Sequence, residues 1–164
     1  MKQVDPVTLT AVEKVLRLQN ADIFKYATTE MLAYIGSIAS EVNVAGGETI
    51  YAAGDPADAM FVVINGVVRL EKNGEEILTA IESQCFGAWA LVDDGPRLMN
   101  ALSVTGAGLL KITREDFSEL LSDHEEMTPA IFKAFTERVK ENATRAIGDS
   151  EILEAQKNIL RVFV

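Results

Sequence analysis

Residues 41–81 read EVNVAGGETIYAAGDPADAMFVVINGVVRLEKNGEEILTAI. Short apolar runs are cut by Gly46-Gly47, by Gly54-Asp55-Pro56-Ala57-Asp58, and by Asn-Gly at 65–66 and again at 73–74. Turn signals about 8–12 residues apart between such runs are the pattern of an all-β sandwich or barrel. Asn-Gly supplies the two positive φ angles of a tight I′ turn. Both pairs therefore predict hairpins, the clearest being MFVVI (60–64) against VVRL (67–70). The strand texture resumes in NALSVTGAGLLKI (100–112), around a second Gly-rich turn. Asp55 and Asp58, flanking Pro56, read as turn chemistry rather than metal ligation.

Helical periodicity brackets this body. Val12, Val15 and Leu16, then Met31, Leu32, Ile35 and Ile38, recur at helical intervals, with Thr28 or Thr29 as the N-cap of the second helix. On the far side, Thr113 caps TREDFSELLSDH (113–124), Asp116 completes a capping box, and Phe117, Leu120 and Leu121 form one apolar stripe. Pro129 opens another helix, with Ile131, Phe132, Phe135 and Val139 on one face. Gly148-Asp149-Ser150 breaks it, and an amphipathic segment follows. The organisation is one domain in three parts: a helical lead over 1–40, a β body over 41–112 and C-terminal helices over 113–164.

The 164 residues carry a net charge of −10, which argues against nonspecific nucleic-acid binding and against docking on anionic membranes. The single cysteine, Cys85, excludes an internal disulfide and reads as a small buried hydrophobe. The single histidine, His124, stands between Asp123 and Glu125 as a solvated helix-end residue. No nucleophile–base–acid set, metal cluster or P-loop is present, so an enzyme is not expected. No apolar run approaches the roughly 20 residues of a membrane span, and the N-terminus lacks an apolar signal core. The expectation is a cytoplasmic, noncatalytic protein.

The order Gly47, Ile50-Tyr51, Gly54, Gly66, then FGAWAL (86–91), Pro96-Arg97 and TREDF resembles the cyclic-nucleotide-binding domain family, over roughly residues 13 to 140. The resemblance implies a mainly β fold with flanking helices: an eight-stranded jelly-roll (double-stranded β-helix) barrel with N- and C-terminal helices. It implies cAMP or cGMP as ligand, and a phosphate-binding cassette at 85–99 built from Phe86, Gly87, Ala88, Trp89, Ala90 and Leu91, then Arg97, Leu98 and Met99. In that cassette Gly87 opens a short helix and Arg97 pairs with the phosphate, a task suited to its fork of donors.

Three positions depart from the family. Ala88 stands where a glutamate accepts from the ribose 2′-hydroxyl, and Leu98 and Met99 stand where small residues are usual. A hydrogen bond to a charged acceptor is worth roughly 1.5–3 kcal/mol, or about 10- to 150-fold in affinity. Leu98 and Met99 are expected to fill part of the site. The leading expectation is a regulatory or sensor module that takes a small-molecule effector but binds cyclic nucleotides weakly or not at all. The alternatives are a structural or dimerisation module with a self-filled cavity, and a genuine cyclic-nucleotide-binding domain. At single residues, Arg97 could instead be a surface arginine satisfied by Asp93 or Asp94, and Trp89 reads as core packing. The helix over 129–146 is expected to form a homodimer, with 150–163 packing on the partner or back across the junction. About 24 residues follow Lys140, too few for a DNA-reading domain of the kind some family members carry, so this chain is not expected to bind DNA.

Overall fold

The computed structural model describes residues 8–147. The helical lead begins with α1 (Ala11–Leu18), closed at its N-terminus by a complete Thr10/Glu13 capping box. After a 3-10 turn (Asp22–Phe24) comes α2 (Thr29–Ile38), whose N-cap Thr28 accepts from the Met31 amide. Six strands follow: β1 (Ser40–Val44), β2 (Thr49–Tyr51), β3 (Ala59–Lys72), β4 (Glu75–Ala80), β5 (Cys85–Phe86) and β6 (Asn100–Thr113). Then come α3 (Arg114–Asp123) and α4 (Thr128–Ile147). Thr113 caps α3, accepting from the Asp116 amide, but Asp116 Oδ2 receives the Thr113 hydroxyl rather than its backbone N–H, so the expected capping box is only half made. No helix among the described residues is long and apolar enough to cross a membrane. The segment expected to form a helix over 150–163 lies outside the described residues.

The fold is mainly β, an antiparallel sheet with helices at both ends of the chain. Two 14-residue strands organise it. β3 and β6 pair antiparallel along nearly their full length, from Ala59 opposite Thr113 to Glu71 opposite Asn100. β1 and β2 add to β6; β4 and β5 add to β3. Among the described residues there are six strands where eight were expected, and the hydrogen-bonded path runs β1-β6-β3-β4 without closing.

The two Asn-Gly pairs, both expected to turn, behave differently. Asn73-Gly74 does turn, with φ of 54° and 82°, and Lys72 faces Glu75 across it. Asn65-Gly66 does not. The chain continues through it as one strand without reversing, and the register against β6 slips on both sides. Gly66 (φ 86°) crosses Gly106 (φ 90°) so closely that a Cβ on Gly66 would lie 2.0 Å from the Gly106 carbonyl oxygen. The pair is a β-bulge that bends both long strands where two backbones touch.

Alternation along β3 then divides the interior. Met60, Val62 and Ile64 face a cluster with Leu18, Phe24, Ile35 and Phe117 of the helices. Ala59, Phe61 and Val63 face a second cluster with Leu70, Phe86, Ala101 and Leu109, on the concave side of the sheet. Gly66→Ala is expected to lower stability by about 3 kcal/mol or more, because a backbone clash adds to the φ penalty, whereas Gly74→Ala, with open space around its turn, costs about 1 kcal/mol. Urea unfolding measures both; equal losses would contradict the bulge.

Candidate functional site

The site is assembled where β5 leaves the sheet. Cys85 and Phe86 pair with Val62 and Phe61, which fixes the start of the following loop. Gly87, at φ 69°, then turns the chain into a single 3-10 turn, Ala88–Leu91. One turn of this kind carries little dipole, so attraction for an anion must come from a formal charge. Ala88, Ala90 and Leu91 are buried and hold the turn against the protein. Arg114, at the start of α3, bridges the loop from below, donating to the carbonyls of Ala57 (3.1 Å) and Asp93 (2.7 Å).

Arg97 returns toward that turn. Its backbone amide donates to the Asp55 carbonyl at 2.8 Å, and its carbonyl accepts from the Gly54 amide at 2.8 Å. These bonds commit its side chain to the concave interior, where it is only 5% exposed. The alternative of a surface arginine paired with Asp93 or Asp94 is thereby overturned. Nη2 donates to the Ala59 carbonyl at 2.6 Å, and Nη1 reaches the Gly87 carbonyl at 3.5 Å. The guanidinium stacks 4.1 Å above the Tyr51 ring. Asp58 lies 3.6 Å away, on a side chain open to solvent. The buried Nε has no partner. Burial pushes the Arg97 guanidinium below arginine's ordinary value, with Tyr51, Asp58 and Asp55 pulling it back; it stays charged at any physiological pH. Burial also raises the Tyr51 hydroxyl, and Arg97 lowers it in part. The φ of 69° favours glycine at position 87, and a Cβ there would stand 2.6 Å from Arg97 Nη1 and push the guanidinium aside.

A cavity of about 270 Å³ opens over Arg97, lined also by Tyr51, Gly87, Trp89 and Met99. A second lobe, of about 160 Å³, shares Leu70, Gly87, Trp89 and Met99 with it and is bounded by Phe135, Arg138 and Val139 of α4. Arg138 ties α4 to the cassette: it donates to Asp22 Oδ1 (2.9 Å) and to the Cys85 carbonyl (3.2 Å). Its Nη1 also donates to Cys85 Sγ, and the thiol donates to Asp22 Oδ1 at 3.3 Å. Burial pushes that thiol up to about 12, so it remains a protonated donor. Cys85 is thus buried as expected, but as a hydrogen-bonding member of a clasp.

Leu98, in the bend before β6, is 68% exposed and lines the larger lobe from its rim. Met99 is half-buried and forms a wall of both lobes. Trp89 is 57% exposed, tilted against Phe135 of α4, and, contrary to the sequence-based expectation, does not belong to the core. Tyr51, Arg114 and Arg138 were missed as site residues. Only Tyr51 carried a signal, as an aromatic next to the glycine framework.

A family model described as the cyclic nucleotide-binding domain matches residues 41–124. The chain belongs to the cyclic nucleotide-binding domain family. Within that family it is similar to a CRP-like cAMP-activated global transcriptional regulator of Mycobacterium tuberculosis, 24% identical over 75% of this chain and 57% of the regulator. It is also similar to a cAMP-dependent protein kinase regulatory subunit of Aspergillus niger, 32% identical over 58% of this chain and 24% of the subunit. Among solved structures, the N-terminal domain of a transcriptional regulator from Streptomyces coelicolor A3(2) superposes with a TM-score of 0.72 at 26% identity, covering 82% of this chain and 99% of that domain. The chain spans 57% of the length of the mycobacterial regulator, so this cyclic nucleotide-binding domain corresponds to one portion of such a protein.

Proposed function

We propose that this domain is a noncatalytic regulatory module that takes a small anionic effector in the cavity over Arg97 and binds cAMP and cGMP weakly. One observation carries the reading: a buried, permanently charged guanidinium on a cavity wall, with its Nε unpartnered and its nearest carboxylate solvent-exposed. A buried charge without full compensation favours a ligand that completes it. The regulatory part rests on kinship with a cAMP-activated transcriptional regulator and a kinase regulatory subunit. The weak affinity rests on Ala88, which offers no acceptor to a ribose hydroxyl. The noncatalytic part rests on the cavity wall, where no nucleophile stands beside a base; the single histidine stacks on Tyr34 at 3.9 Å, outside both lobes. A cytoplasmic location belongs to the same proposal.

A homodimer through α4 is part of it too. Phe132 is 72% exposed and, with Trp89 and Val139, borders an apolar groove of about 440 Å³ between α3 and α4. Exposed apolar patches of this kind mark interfaces, and two-fold pairing is the commonest way to cover them.

Calorimetry tests the first claim: cAMP and cGMP should bind no tighter than about the high-micromolar range, and Ala88→Glu should improve cAMP about 10- to 100-fold. Submicromolar binding to the unmodified protein would contradict it. Light scattering tests the second: a dimer is expected at tens of micromolar, lost in Phe132→Asp with Val139→Asp. A monomeric unmodified chain would refute the dimer.

A further inference from the structure

The wall of the two-lobed cavity is chemically lopsided. Arg97 supplies the positive charge on one side of the larger lobe. Around it, neither lobe is lined by any serine, threonine, asparagine, glutamine, glutamate or histidine. The one carboxylate, Asp93, is solvent-exposed. In the second lobe, Arg138 is occupied by Asp22 and Cys85, and Cys85 by both of them. The other walls are chiefly hydrocarbon, sulfur and rings, among them Leu70, Met99 and Phe135, with the Tyr51 hydroxyl and the Trp89 N–H as the neutral polar side-chain groups.

Such a wall rewards chiefly two things: one negative charge at Arg97, and apolar surface beyond it. A hydroxyl or ring nitrogen carried into these lobes surrenders water and meets only the Tyr51 hydroxyl and the Trp89 N–H as neutral side-chain partners; each such group left unpaired loses about tenfold or more in affinity. With Ala88 in place of an acceptor, no buried carboxylate lines either lobe to receive a sugar hydroxyl, and discrimination by hydrogen bonding requires a partner built into the site. Lobes of about 270 and 160 Å³ suit a compact body of one or two rings.

We propose that the effector of this domain is an oxyanion carried on a compact apolar or aromatic body, recognised by its charge at Arg97 and by hydrophobic burial against Leu70, Met99 and Trp89, without readout of a sugar hydroxyl. This rests on the anionic-effector reading above and narrows its ligand class. Ala88 is what separates the chain from recognition of a ribose. Arg97 retains recognition of the anion, and Leu70 and Met99 set the shape of the body.

Calorimetry on the full chain with four probes tests it: 1-naphthoate, its neutral counterpart 1-naphthamide, cAMP and 2′-deoxy-cAMP. The expected result is naphthoate at least tenfold tighter than either naphthamide or cAMP, with cAMP and 2′-deoxy-cAMP within threefold of each other. Trp89 is the only tryptophan in the chain and lies on the shared wall, so cAMP binding can be confirmed from its emission. Arg97→Lys, which keeps a charge in place of the fork, should weaken naphthoate severalfold while sparing naphthamide. A tenfold preference for cAMP over its deoxy form would overturn the inference and leave the anionic-effector reading intact. Equal affinity for naphthoate and naphthamide would overturn it as well, since charge would then not be read. No binding of any probe at millimolar concentration would overturn both.

Discussion

The guanidinium of Arg97, held between the Ala59 carbonyl and the Tyr51 ring, is the constraint around which this domain is arranged. A charge buried to that depth is costly unless its donors are used, and here they are used only in part. The backbone bonds that place it link Arg97 to Gly54 and Asp55, so the loop before β3 and the loop before β6 are fixed against each other. Gly87, whose φ of 69° favours glycine, also leaves this guanidinium its place, since a Cβ there would stand 2.6 Å from Nη1. In the reading proposed above, the charge of this guanidinium is what an anionic effector pairs with, and the apolar wall around it keeps the local dielectric low and strengthens charge pairing inside it.

The socket exists because β3 and β6 can cross. Their contact at Gly66 and Gly106 bends both strands and turns Phe61, Leu70 and Ala101 to one concave side. The opposite face of β3 is sealed by α1, α2 and α3 through Met60, Val62 and Ile64. Ala59, whose carbonyl receives Arg97, begins that same strand. At the other end of the cavity, Arg138 couples α4 to Cys85 and Asp22. The cassette, the helical lead and the C-terminal helix therefore meet at one ion pair, next to the second lobe.

Much of this was legible in the residues. The caps at Thr28 and Thr113, the Asn73-Gly74 hairpin and the apolar periods of the helices follow from local chemistry, and the structure repeats them. The cassette was legible as a motif, and Arg97 indeed faces inward. Asn65-Gly66 was misread because a bulge and an I′ turn ask the same positive φ of glycine; the carbonyl of Gly106, 40 positions away, decides between them. Trp89 was misplaced in the core because whether an apolar side chain turns in or out in an irregular loop depends on the backbone anchors around it. The anchoring roles of Arg114 and Arg138 rest on carbonyls and a thiol brought together only by the fold, with no local pattern to announce them.

The most direct test of the account is the Arg97 Nε–H resonance in a proton–nitrogen spectrum of the full chain. A charged guanidinium buried with an unpartnered Nε predicts a resolved signal that exchanges slowly with water and shifts when 1-naphthoate is added. The Arg17 signal, from a partly exposed side chain, should stay broadened by exchange and unmoved. An Arg97 Nε–H that exchanges as fast as that of Arg17 would contradict the account, because it would put the guanidinium in solvent.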